Sequence, residues 1–511
     1  MAGLAPAIHV FGAVSKVVDG RPKGGRDVQK EPVVNTIFNQ TAVAWPRPSS
    51  SGAGALARPC PLDRLGPSFG TMRGSDAVTI DVKRTGTKRW SVLALISLMY
   101  LVTYLDRANI STVAPVIAKE FDIGKIEMGF IFSAFVWSYA LFQIPGGWLG
   151  DRFGARRMLT GIVGYWSVMT ALTAAAGGVA SFTVVRFLFG IGEAGAFPVA
   201  TRAMQLWFPP RERGLVQGVS HSASRLGAAI SPPIVVAIIA TLGWRWVFYI
   251  CAMVGVLWSV LWYLTYRDMP EQQQSVSRDE LAYIRGVDEH GDVLPARIER
   301  MAILPWGTLV RSSSMWALMC AYFTSGYCGF IFLSWMPSYL VEYRHFTLLK
   351  VGIFASLPFW AGVVGDTVGG VAVDWLLART GSAKLAHRVV AVVGLLGCVA
   401  CIVPAALVDS AYAAVAFLTA SFFFLECAIG PAWSAAMHIG GKYSGTVSAA
   451  MNMAGNIGGA ISPIVFGILV HYGSWQAPFI IAAVLLVFGA GVWAFWLNPE
   501  VSAIEPAPGA G

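Results

Sequence analysis

The stretch "GLVQGVSHSASRLGAAISP", residues 214–232, aligns without a gap onto "GTVSAAMNMAGNIGGAISP", residues 445–463. Just upstream of each lies a second matched pair, "EAGAFP" from Glu193 and "ECAIGP" from Glu426, each a glutamate followed five residues later by proline. The chain therefore carries a duplication in which the same pieces recur in the same order and direction. Parallel repeats of this kind are related by an axis along the membrane normal, with a site at their interface near the bilayer midplane.

The copies are membrane-spanning because the composition leaves no other reading. Of 511 residues 56% are hydrophobic and only 13% charged, with a mean hydropathy of +0.61, which excludes an ordinary soluble globular protein. Apolar stretches long enough to cross about 30 Å of hydrocarbon recur at 90–112, 126–148, 158–178, 181–205, 214–240, 244–266, 314–340, 349–373, 387–408, 411–438, 445–470 and 475–497. We expect an all-α membrane protein of twelve transmembrane helices in two pseudo-symmetric six-helix halves, residues 86–266 and 314–498, joined by a charged linker at 267–313. Residues 1–85, rich in Pro, Gly, Ser and Arg, read as a disordered extension, or as sequence upstream of a natural start at Met72, and 499–511 as a tail.

The net charge of +9 does not imply nucleic acid, because the cations sit in alternate loops rather than in a patch interleaved with aromatics. Lys83, Arg84, Lys88 and Arg89 precede the first stretch, "DRFGARR" follows the second, "PPRERG" the fourth and "ARTGSAKLAHR" the eighth. By the positive-inside rule both termini face the cytoplasm, which places the protein in the cytoplasmic membrane. The opposite loops "AAAGGVAS" and "VPAALVDSAY" lack cations. Most of the seven cysteines lie inside apolar stretches as small packing groups, and no His/Cys cluster or "GxxxxGK[ST]" loop asks for a metal or nucleotide. No nucleophile and base come together, so an enzyme is not expected.

The stretch "GGWLGDRFGARR", 146–157, resembles the signature loop of the major facilitator superfamily, with Gly147, Asp151, Arg152, Gly154, Arg156 and Arg157 in place. It reads as a conformational latch: the glycines let helix ends approach, and Asp151 meets cations or a helix N-terminus across the interface of the halves. The second copy, "GGVAVDWLLARTGS", keeps Gly370 and Asp374 but has Trp375 where the first has Arg152. "YLDRANIS" at 104–111, "RFLFGIGEAGAFP" at 186–198 and "FLSWMPSYL" at 332–340 further resemble the anion:cation symporter family over roughly Trp90 to Pro499. That resemblance implies proton-coupled uptake of an organic anion such as a hexonate, hexuronate or aldarate. It also implies that Asp106 and Glu193 handle the proton and that Arg107 helps hold the substrate; we expect Arg186 to join the proton-coupling group and Tyr104 the substrate-binding residues.

The residues support a site independently. Arg186 and Glu193 share a helix face but stand about 10 Å apart along the axis, so each needs a partner elsewhere. The first stretch supplies Asp106 and Arg107, and the quartet sums to zero charge. Charges inside a membrane are costly and by default functional, although a cluster that only pins the first helix to the fourth would look the same. His221 and Arg225 lie one turn apart on the fifth stretch, and the repeat places Asn452 and Asn456 at the matching positions of the eleventh. We expect these polar faces to look at each other across the cavity, Arg225 taking the acid end of a ligand and the amides its polyol end. For Arg225 the alternative is a structural ion pair, and for His221 a satisfied buried imidazole. Trp433, Tyr322, Tyr327 and Trp360 offer flat faces for the lining, and Glu426 has no arginine evident nearby in the sequence. The expected function is a monomeric symporter of a sugar acid with protons, without cofactor. The alternatives are carriage of an aromatic carboxylate such as a phthalate and a membrane sensor that binds acids without moving them.

Overall fold

In a computed structural model, which describes residues 86–287, 293–294, 307, 311–440 and 444–498, twelve helices are long and apolar enough to cross a membrane. They run Lys88–Glu120, Lys125–Gly150, Ala155–Ala175, Val179–Trp207, Leu215–Leu242 and Trp244–Thr265, then Ser313–Tyr343, Leu348–Thr380, Ala383–Leu407, Ala411–Gly440, Thr446–His471 and Ala477–Trp496. The all-α expectation holds span by span. The N-terminal extension with Met72, the tail and most of the linker beyond Val287 lie outside the described residues.

The fourth and tenth spans are each broken at the same place. The fourth divides into helices Val179–Glu193 and Ala196–Trp207, the tenth into Ala411–Cys427 and Ile429–Gly440. The cause is the proline five residues after each glutamate. Pro198 and Pro431 have no N–H to give the carbonyls of Ala194 and Cys427, and their rings crowd those carbonyls, so the helix restarts there. Glu193 and Glu426 consequently stand at or beside the C-terminal end of a half-helix, where backbone carbonyls carry partial negative charge and favour an approaching cation.

Packing repeats with the sequence. The first span packs on the fifth, the second on the fourth and the third on the sixth; the seventh packs on the eleventh, the eighth on the tenth and the ninth on the twelfth. The matched glycines Gly227 and Gly458 sit at equivalent crossings, one against the carbonyl of Leu101 and the other against that of Phe323, with no room for a side chain. The halves meet where the second span packs on the eleventh, the fifth on the eighth and the first on the seventh. At one end Lys125 pairs with Glu342 across this seam, and farther in the Ser133 hydroxyl donates to the Ala460 carbonyl at 2.5 Å.

The linker begins with an ordered element. Helix Arg278–Arg285, capped by Ser277, docks on the first half through a buried polar knot. The Arg89 backbone N–H donates to Glu280 at 3.0 Å, its Nε to Glu212 at 3.2 Å, and the Tyr283 hydroxyl to Glu212 at 2.6 Å. In the 146–157 loop, Gly154 takes φ +80°, which L residues with a side chain resist, and Gly147 lies against Pro198 of the fourth span. Asp268 accepts from the Arg156 backbone N–H at 2.9 Å, and the Arg156 Nε donates to the Tyr263 carbonyl at 2.9 Å. Arg152 and Arg157 are exposed. The side chain of Asp151, and with it the expected contact across the halves, lies outside what the structure describes.

Candidate functional site

The charged quartet assembles inside the first half. Arg107 of the first span donates through Nε to Glu193 of the fourth at 2.5 Å, both side chains being buried. The Arg107 guanidinium also lies over the rings of Tyr139 at 4.5 Å and Tyr104 at 5.0 Å, with Phe135 and Phe197 slightly farther out. An aromatic cage of this kind steadies a cation without neutralising it. Tyr139 was not foreseen, because a tyrosine in an apolar stretch reads as packing.

Asp106 and Arg186 complete the group without direct ion pairs. Asp106 is 1% exposed and accepts from the Asn109 amide at 3.4 Å, while its other oxygen has no hydrogen-bond partner. The Arg186 guanidinium rests over Phe189 at 4.7 Å and Phe135 at 5.1 Å, and its Nε is likewise unpartnered. One Arg107 nitrogen and one Glu193 oxygen share that condition. Buried polar atoms are rarely left unpaired, and here four charged residues with spare hydrogen-bonding capacity lie in one place. Arg107, Ser111, Phe135 and Arg186 of the first half line a cavity with Phe330 and Ser334 of the seventh span, which brings the two arginines of the quartet to the seam of the halves.

A second charged group crosses that seam. Arg225 of the fifth span forms an ion pair with Asp366 of the eighth at 3.3 Å and another with Glu426 of the tenth. This corrects the expectation that Glu426 lacks an arginine. Asp366 was missed, although a lone acid inside the apolar stretch 349–373 carries the same signal that singled out Asp106.

The remaining candidates divide. His221 lies among the rings of Tyr100, Phe197 and Trp433 and meets the Gln217 amide at 3.3 Å. The Trp433 indole donates to the Tyr322 hydroxyl at 3.2 Å. The two polar faces do not pair with each other: Asn452 donates to Gln143 of the second span at 3.4 Å, and the Asn456 amide donates to the Asn452 carbonyl on its own helix at 2.9 Å. The reason is the seam itself, which sets the eleventh span against the second and the fifth against the eighth. Tyr327 is buried in the core, and Trp360 is 45% exposed. Among the described residues no three His, Cys, Asp or Glu side chains cluster as metal ligands.

Comparison with known proteins follows the same lines. The family model described as Major Facilitator Superfamily matches residues 96–463. The "Probable sulfoacetate transporter SauU" of Cupriavidus necator is 42% identical over 83% of this chain and 97% of its own length. The "D-galactonate transporter" of Escherichia coli is 32% identical over 80% of this chain and 96% of its own. The "Probable galactarate/D-glucarate transporter GudP" of Escherichia coli is 32% identical over 78% of this chain and 90% of its own. Among solved structures, a bacterial homolog of the human lysosomal transporter Spinster, inward-facing and unoccupied, superposes with a TM-score of 0.66 at 18% identity, covering 80% of this chain and 97% of that one.

Proposed function

The chain belongs to the Major Facilitator Superfamily, and from that premise we propose that it carries a small organic anion of the sugar-acid class into the cytoplasm together with protons. The observation that carries the reading is the buried Arg107–Glu193 pair, flanked by Asp106 and Arg186, with hydrogen-bonding capacity left over on all four residues. With every group ionised the quartet is neutral and Glu193 occupies Arg107. A proton on Glu193 or Asp106 leaves a net positive charge, and a proton on Glu193 frees the Arg107 guanidinium fork for a substrate acid group. Proton and anion then bind cooperatively, and by linkage each raises the affinity for the other by the same factor.

Support for the substrate class comes from the relatives, named for sulfoacetate, D-galactonate and galactarate/D-glucarate, all small acids. Asn452, Asn456 and His221 supply neutral donors and acceptors suited to hydroxyl groups. In this reading the protein is a monomer in the cytoplasmic membrane with both termini inside. The proton gradient drives it without a cofactor, and the 146–157 loop with Asp151 acts as a latch between rocking halves. Proteoliposomes with an imposed pH gradient test it. Labelled galactonate or sulfoacetate should accumulate above the external concentration and collapse to it when a protonophore is added. Saturation at one ligand per protein, without accumulation, would identify a sensor instead.

A further inference from the structure

The two glutamates that the repeat makes equivalent both hold an arginine. Glu193 holds Arg107, and Glu426 holds Arg225. Both arginines come from the first half, from the first and fifth spans, and each reaches a glutamate at a break in the fourth or tenth span. Tyr104 lies under the Arg107 guanidinium at 5.0 Å. Arg225 reaches Asp366 of the eighth span and Glu426 of the tenth, so its guanidinium crosses the seam between the halves.

Helix packing does not demand an arginine at position 225. Its repeat counterpart is Asn456, which satisfies itself on its own helix while the eleventh span makes the same crossing on the seventh that the fifth makes on the first. Nor does joining the halves demand this arrangement. A single carboxylate would neutralise Arg225, yet Asp366 and Glu426 both reach it, and the triad sums to one negative charge. In the quartet a guanidinium occupied by a half-helix glutamate is an anion subsite holding a carboxylate of the protein itself. The same description fits Arg225.

We propose that the transported anion carries two acid groups, a dicarboxylate or a sulfocarboxylate, one group taken by Arg107 and the other by Arg225. The proposal rests on the transport reading above and narrows its substrate. Each acid group replaces one glutamate carboxylate at its guanidinium, and each displaced glutamate is neutralised by a proton that travels with the anion. The proton on each displaced glutamate offsets the incoming acid group, so each end keeps the net charge it had before binding, and at the second end Arg225 is shared between the ligand and Asp366. A one-acid compound leaves Arg225 with Asp366 and Glu426 and gains nothing from it.

Matched pairs decide the matter: sulfoacetate against glycolate, and glucarate against gluconate, each measured for proton-driven uptake into proteoliposomes of the full chain. The two-acid member of each pair should show a KM at least tenfold below that of its one-acid match. Arg225→Gln should shrink that ratio to about twofold or less, and Arg225→Lys, which keeps the charge but loses the fork, should fall between. Equal KM values within the wild-type pairs overturn the proposal, and so does an Arg225→Gln effect of the same factor on both members, which would mark Arg225 as a lock between the halves. If Arg225→Gln does not fold, the wild-type ratios and Arg225→Lys decide alone. Uptake of one-acid compounds only would sink the two-subsite proposal and leave the transport reading standing; uptake of none would sink both.

Discussion

Removing the charge from Glu193 while keeping its shape separates holding the substrate from coupling it to protons. Glu193→Gln imitates the protonated carboxyl permanently, leaving Arg107 free in every state. We expect this variant to exchange labelled substrate across the membrane with weakened pH dependence, yet to bring internal substrate only to the external concentration under an imposed proton gradient. Full proton-driven accumulation by Glu193→Gln would shift the coupling role to Asp106, which is buried and accepts from the Asn109 amide. Glu426→Gln should give a milder defect, because Asp366 still pairs with Arg225 there, a set of partners that the sequence did not reveal. That difference shows where sequence reading stopped. Spacing along one helix reports contacts three or four residues apart, so the shared face of His221 and Arg225 was legible. The pairing of Arg225 with Glu426 depends on how two halves dock, which no local period encodes. Asp366 was legible by its depth alone, and the rule that found Asp106 would have found it.

At the scale of elements, the duplication was written in the sequence down to single glycines. Gly227 and Gly458 occupy the same position in the aligned segments 214–232 and 445–463, and both prove to sit where the helix of one span touches the backbone of another. A methyl group at either place must push the partner helix outward, and overpacking of this kind costs about 1–3 kcal/mol. Gly227→Ala and Gly458→Ala should each lower the thermal unfolding midpoint of the detergent-solubilised protein by several degrees. Gly218→Ala is the contrasting case. That position has open space around it and its repeat counterpart is already Ala449, so the midpoint should stay unchanged or rise slightly. Equal effects at all three positions would show that helix propensity, not close approach, governs these glycines. The breaks in the fourth and tenth spans were less legible. Their prolines were visible, but that each break would set a glutamate at the end of a half-helix follows only from where the helix restarts.

For the whole molecule, alternating access requires that the seam between the halves open at one end as it closes at the other. The seam contacts described above run from the end bearing Lys125 and Glu342 inward to Gln143 and Asn452. At the former end Gly129 lies against the backbone of Pro463 and Ile464, Gly467 against the Lys125 carbonyl, and Gly352 against Pro233 and Val236. The ion pair acts together with close backbone packing there. Its side chains are 28% and 24% exposed, so solvent screens the pair and its contribution is about 1 kcal/mol or less. In an equilibrium between an open and a closed seam a change of that size still matters. About 1 kcal/mol alters a two-state ratio roughly fivefold. Lys125→Glu replaces attraction with repulsion and should move the population toward separation at this end. Spin labels on the loops flanking Lys125 and Glu342 should then report a larger share of the long-distance state. The charge swap Lys125→Glu with Glu342→Lys should restore the original distribution, since it reinstates the pair and leaves the glycine contacts untouched. A single variant with an unshifted distribution would mean that backbone packing alone holds the seam, and a swap that fails to restore it would mean that Lys125 acts through some partner other than Glu342.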